Sequence, residues 1–128
     1  MYRKSHFKES IGNTIEIRIK KTEAIFRQAR KDIGSISKRE LFLIGAALYW
    51  AEGSKEKEDR PGLGVQFTNS DINMVNVFLK WLVEICRVRK ENIYFNIFIH
   101  ENSKNRIEEV INYWSKSTQF EKNHFTHV

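Results

Sequence analysis

One cysteine, one proline and six glycines are all that 128 residues hold of the types that cross-link or punctuate a chain. Cys86, being alone, excludes an internal disulfide framework and a cysteine-rich zinc site; it falls in an apolar helical pattern and reads as a packed thiol. With a single proline and no low-complexity run or repeat there is no interdomain linker. Nor does any stretch reach the roughly 18 uninterrupted apolar residues of a membrane span. Met1-Tyr2-Arg3-Lys4 also lacks the apolar run of a signal peptide. The expectation is a cytoplasmic protein with no membrane partner, and a hydrophobic content of 41% suffices for one core.

Charge is present in excess of one sign. The formal net charge is +6, and residues 1–40 hold 11 Lys and Arg against 5 Asp and Glu, while residues 41–128 hold 11 of each. The excess therefore sits on an N-terminal segment, residues 1–36, attached to a nearly neutral body, residues 37–128. Such a segment suits a polyanionic partner, and it equally suits plain solvation.

Within that segment Ile11, Ile15, Ile19, Thr22, Phe26, Ala29 and Ile33 recur at helical spacing, although Ile15, Ile17 and Ile19 also alternate like a strand. Length and the Glu, Lys, Arg and Ala content favour a helix. Its other face carries Arg18, Lys20, Lys21, Arg27, Arg30 and Lys31.

Ser37-Lys38-Arg39-Glu40 has the form of a capping box, and eleven residues without a charge follow, Leu41 to Ala51. A helix apolar on every side must be covered on every side, which one small domain does not readily supply. One face is therefore expected to meet a second copy, through Gly45, Ala46, Ala47, Tyr49, Trp50 and Ala51, whose small residues let helix backbones approach. Gly53 is placed to end this helix in a left-handed cap, leaving Glu52 at its tip.

Further on, Gly64 to Thr68 alternates as a strand with Gln66 and Thr68 outward, and Asn69-Ser70-Asp71 caps a helix reaching about Arg87. Ile93, Phe95, Ile97 and Ile99 share one face of the clearest strand; Tyr94, Asn96, Phe98 and His100 share the other. A last helix spans about Lys104 to Ser117, and Phe125 to Val128 begins a further strand. The order implies an α+β fold, a short antiparallel sheet covered by helices on one face, with an extra basic helix at the N-terminus.

Gly45 to Gly53 resembles the nine-residue LAGLIDADG motif of homing endonucleases, with Leu48, Ala51, Glu52 and Gly53 matching and Trp50 standing where the motif has its first acid. Val65 to Asp71 and Ile93 to Glu101, with Asn112-Tyr113-Trp114 and Thr118, are similar to small prokaryotic proteins carrying a LAGLIDADG-like domain. The resemblance spans about residues 38–128. It implies a homodimer in which two motif helices pair at a twofold axis, and their terminal acids hold Mg²⁺ against a phosphodiester of double-stranded DNA. Glu52 would then be the metal ligand, Asn69 a group ordering the attacking water and Lys122 the basic residue after the last helix that assists. Gln66, Thr68, Tyr94, Asn96 and His100 would face the DNA groove and Lys55 and Lys57 its phosphates. Read from the residues alone, Asn69 also suits a helix cap, and Tyr49, Trp50, Trp81 and Trp114 suit packing. A non-catalytic nucleic-acid-binding regulator and a decayed endonuclease remnant are the alternative readings.

Overall fold

A computed structural model describes residues 3–54, 62 and 64–127, with side chains from Thr14 onward. Two compact units divide the chain, Met1–Ile36 and Ser37–Val128. The first is a single helix, α1 (Arg3–Ile33), so the helical spacing prevails over the local alternation of isoleucines. It stops at Gly34, whose φ of +60° is the left-handed geometry of a helix terminus and whose N–H donates to the Arg30 carbonyl.

The second unit contains α2 (Lys38–Glu52), β1 (Gly53–Ser54), β2 (Gln66–Phe67), α3 (Ile72–Glu84), β3 (Phe95–Ile97), α4 (Ile107–Thr118) and β4 (Phe125–His127). Short 3-10 turns at Lys90–Asn92, Glu101–Arg106 and Lys122–His124 connect them. It is a mixed α+β arrangement in which helices predominate. Among the described residues no helix is long and apolar enough to cross a membrane.

Helix α2 begins as its capping box requires. The Ser37 hydroxyl accepts from the Glu40 N–H at 3.3 Å, and the Glu40 carboxylate accepts from the Ser37 N–H at 2.7 Å. Its end departs from expectation: Gly53 is extended (φ −75°, ψ 140°), and the helix passes directly into β1. Glycine is needed there for room, because a Cβ would lie 2.3 Å from the Tyr49 ring and 2.4 Å from the Tyr49 carbonyl oxygen.

Two core clusters meet at α3. Leu41 of α2 packs with Phe78 and Trp81, flanked by Leu48 and Tyr49, while Val75 and Leu79 pack with Ile93, Phe120 and Phe125. Phe67 of β2 touches both and stacks on Phe78 with ring centroids 4.1 Å apart. Asn76 ties α3 to α4 by donating to the Ser117 carbonyl at 3.1 Å.

The single antiparallel sheet expected from the sequence is, among the described residues, two separate pairs. Strands β1 and β2 are antiparallel, with Gly53 opposite Phe67 and Ser54 opposite Gln66. Strands β3 and β4 are parallel, Phe95 opposite Phe125 and Ile97 opposite His127, because α4 lies between them as a crossover and brings the chain back in the same direction. The alternation over 93–100 holds: Ile93 is buried, Phe95, Ile97 and Ile99 are half-buried, and Tyr94, Asn96, Phe98 and His100 are exposed.

Cys86 is exposed, contrary to the packed thiol read from the sequence. The cause is local, since α3 stops at Glu84 and the chain turns through Arg87 at φ +61°, carrying Cys86 off the buried stripe. Partial desolvation still pushes its thiol above the ordinary value.

Candidate nucleic-acid interface

The centre of the candidate site is the C-terminal tip of α2. Leu41 and Gly45 are buried and Leu48 is half-buried; Glu52 continues their stripe at steps of four, three and four residues and emerges exposed at the end. Antiparallel pairing of β1 with β2 then fixes what lies across from it. One residue beyond the Gly53–Phe67 pair stand Glu52 on one side and Thr68 on the other, and Asn69 follows.

Asn69 is half-buried and already engaged. Its Oδ1 accepts the Asp71 N–H at 2.8 Å, and its Nδ2 lies 3.0 Å from the Met74 sulfur. Asp71 is the cap of α3, accepting from the N–H groups of Asn73 and Met74, so Asn69 braces that cap from outside. Lys122 is exposed on the short turn before β4, a different sheet from the one that holds the Glu52 tip. The topology therefore associates Glu52 with Thr68 and Asn69, and sets Lys122 apart. Lys55 and Lys57 lie outside the described residues.

The helix α2 residues named for a pairing surface divide between two faces. Gly45 and Tyr49 turn inward. A Cβ on Gly45 would fall 1.9 Å from Cγ of Trp81, and the Tyr49 ring stacks on the same indole at 6.4 Å. The close approach that Gly45 permits is thus used within the chain. Ala46 is half-buried, and Ala47, Trp50 and Ala51 are exposed together with Phe42 and Leu43, Trp50 to 78%. One apolar face of α2 packs against α3 and the opposite one is exposed.

Gln66, Thr68, Tyr94, Asn96 and His100 are all exposed. Between segments 65–70 and 92–98 opens a cleft of about 880 Å³ whose lining includes Phe67, Phe78, Leu82 and Trp114 and whose polar groups include Gln66, Thr68 and Asn96. Asn96 is oriented by β4, its Oδ1 accepting the Thr126 hydroxyl at 2.6 Å. The Tyr94 ring leans on His124 at 5.8 Å, and His124 Nδ1 donates to the Ile93 carbonyl at 2.7 Å, which places the proton on Nδ1. Two further residues belong to this surface: Phe98, 71% exposed like Tyr94, and Thr126. The period-two pattern already set Phe98 on the outward side; Thr126 is brought there by a strand pairing with no local signal.

On α1, Arg18, Lys20, Lys21, Arg27 and Arg30 are exposed, Lys20 pairing with Glu16 at 2.8 Å. Residues 1–36 carry nine Lys and Arg against four Asp and Glu, a net +5 of the chain's +6.

Comparison with protein-family models, with characterised proteins and with solved structures finds no match to this chain.

Among the described residues no three His, Cys, Asp or Glu side chains converge as a metal site.

Proposed function

We propose that this chain is a double-stranded DNA-binding protein of the LAGLIDADG type that works as a homodimer, with Glu52 of each copy forming a Mg²⁺ site for phosphodiester hydrolysis. The observation that carries the reading is the exposed stripe of Leu43, Ala47 and Trp50 on a helix whose opposite stripe, Leu41, Gly45 and Leu48, faces α3 and ends in Glu52. Glu52 leaves the helix on the opposite, α3-facing stripe, so pairing two α2 helices along the exposed stripe would bring the carboxylates of the two copies together only across their C-terminal tips. Mg²⁺ bound there would neutralise phosphate charge and lower the pKa of a water. The chain's own groups then have distinct tasks: Glu52 holds the ion, Gln66, Thr68 and Asn96 present amide and hydroxyl groups to base edges, and Tyr94 and Phe98 offer flat surfaces. Asn69 braces the β2–α3 turn through the Asp71 N–H.

The test is Mg²⁺-dependent cleavage of a randomised duplex library, with Glu52→Gln as the control. Loss of cleavage with DNA binding retained is the expected result; cleavage indifferent to the substitution removes Glu52 from the chemistry. A second reading, a non-catalytic nucleic-acid-binding regulator, is favoured by the concentration of net charge on residues 1–36. It predicts salt-sensitive binding unaffected by Mg²⁺ and by Glu52→Gln.

A further inference from the structure

Helix α1 carries more bare apolar surface than a helix in water leaves uncovered. Ile15, Ile19, Ile25, Phe26 and Ile33 are each more than half exposed. With Thr22 and Ala29, four of them follow one another at alternating steps of four and three residues, Ile15, Ile19, Thr22, Phe26, Ala29, Ile33. That period of about 3.5 residues is the seam of a coiled coil. In heptad terms Ile19, Phe26 and Ile33 stand at a, and Ile15, Thr22 and Ala29 at d.

We propose that α1 pairs along this seam with α1 of a second copy of the chain, in antiparallel orientation. Side-chain size selects the direction. Antiparallel helices set a against d, and the register that keeps every layer puts Phe26 against Thr22, Ile19 against Ala29 and Ile33 against Ile15. Parallel helices would set Phe26 against Phe26 and Ala29 against Ala29, one layer crowded and the next hollow.

The flanking residues agree. In the antiparallel register Arg18 of one copy lies beside Asp32 of the other, and Glu16 beside Arg30, each contact occurring twice. Ile25, the apolar residue just off the seam, meets its own counterpart at the centre. One contact opposes, Glu23 beside Glu23. Parallel alignment offers the Arg18–Glu23 pair and leaves Ile25 beside Arg30. Within one copy Glu16 holds Lys20 at 2.8 Å and Asp32 accepts from Gln28 at 2.8 Å, but these contacts are exposed and yield readily to a partner. Lys20, Lys21, Arg27 and Lys31 fall at b, c and f positions and stay on the outside. One helix thereby both joins two copies and presents a basic ridge. The pairing does not depend on the exposed face of α2.

The test uses the full chain with Cys86→Ser, so that only introduced thiols react. Chains carrying Ile19→Cys and chains carrying Ala29→Cys are co-expressed and exposed to a mild oxidant, with Gln28→Cys, on the outer side, as the collision control. The expected product is a disulfide between the Ile19→Cys and Ala29→Cys chains, with the control left monomeric on a denaturing gel. Self-linkage of Ile19→Cys alone would overturn the antiparallel orientation. Linkage of the control to the same extent, or no linkage in chains that circular dichroism finds helical, would overturn the pairing itself.

Discussion

Gly45 has no side chain, and that absence decides how α2 meets α3. The Trp81 indole lies where a Cβ would be, 1.9 Å from Cγ, so even one methyl must displace a ring that is itself packed against Leu41 and Phe78. Alanine would gain about 1 kcal/mol in helix propensity. Overpacking of a filled interior costs about 1–3 kcal/mol, and here the intruding atom meets the rigid base of the indole instead of a flexible end. Gly45→Ala is therefore expected to lower the unfolding free energy by about 1–2 kcal/mol in urea titrations. A variant as stable as the parent would mean that Trp81 shifts at no cost. Glu52 makes a contrast at the same scale. It is exposed at a helix C-terminus, where the dipole favours cations, so Glu52→Gln should leave stability unchanged or slightly raised.

At the scale of the element, α2 is held at its start by chemistry that lies within four residues. Glu40 sits below the usual carboxylate range, first through its hydrogen bond with the Ser37 side chain and then through the Ser37 backbone N–H. A carboxyl whose folded value is depressed stabilises the fold fully above its unfolded value of 4.5, and that contribution disappears as pH falls through the folded value. Ser37→Ala is expected to cost about 1 kcal/mol at pH 7. The gap between parent and variant, followed by thermal melts from pH 7 to pH 3, should narrow below about 4.5; a constant gap would mean that the carboxylate takes no part in the cap. The locality of this motif is why it was legible in the sequence, as was the period-two row from Ile93 to His100. What was not legible depends on distant partners. Both faces of α2 are apolar, so spacing alone does not tell that Gly45 and Tyr49 belong to Trp81 while Ala47 and Trp50 stay exposed. The extended Gly53 follows from the Tyr49 ring beside it, and the parallel β3–β4 pair from the return of the chain after α4. Of the candidate site, the outward row and the position of Glu52 at a helix end were readable, whereas the approach of Thr68 and Asn69 to that end required the β1–β2 register.

For the whole molecule the decisive property is where charge resides. Nearly all the net charge belongs to residues 1–36, and the body that carries Glu52 and the outward strand residues is close to neutral, with 13 Lys and Arg against 12 Asp and Glu over residues 37–128. The proposed function therefore places affinity for a polyanion and recognition of its bases on different parts of the chain. Phosphate contacts release counterions, so each contributes about 0.9 to the slope of log K against log salt. The Lys20–Glu16 pair does not prevent this, since an exposed pair of this kind is worth at most about 1 kcal/mol and a phosphate competes with it easily. Replacing Lys20, Lys21 and Arg27 together with Gln removes three cations from the outer side of α1 and leaves its apolar seam intact. The slope measured on a mixed-sequence duplex should then flatten by about 2–3. Preference among sequences should persist, because Gln66, Thr68 and Asn96 are untouched. An unchanged slope would remove α1 from the nucleic-acid contact, and loss of sequence preference with the slope would place base recognition on the basic helix instead of on the strands.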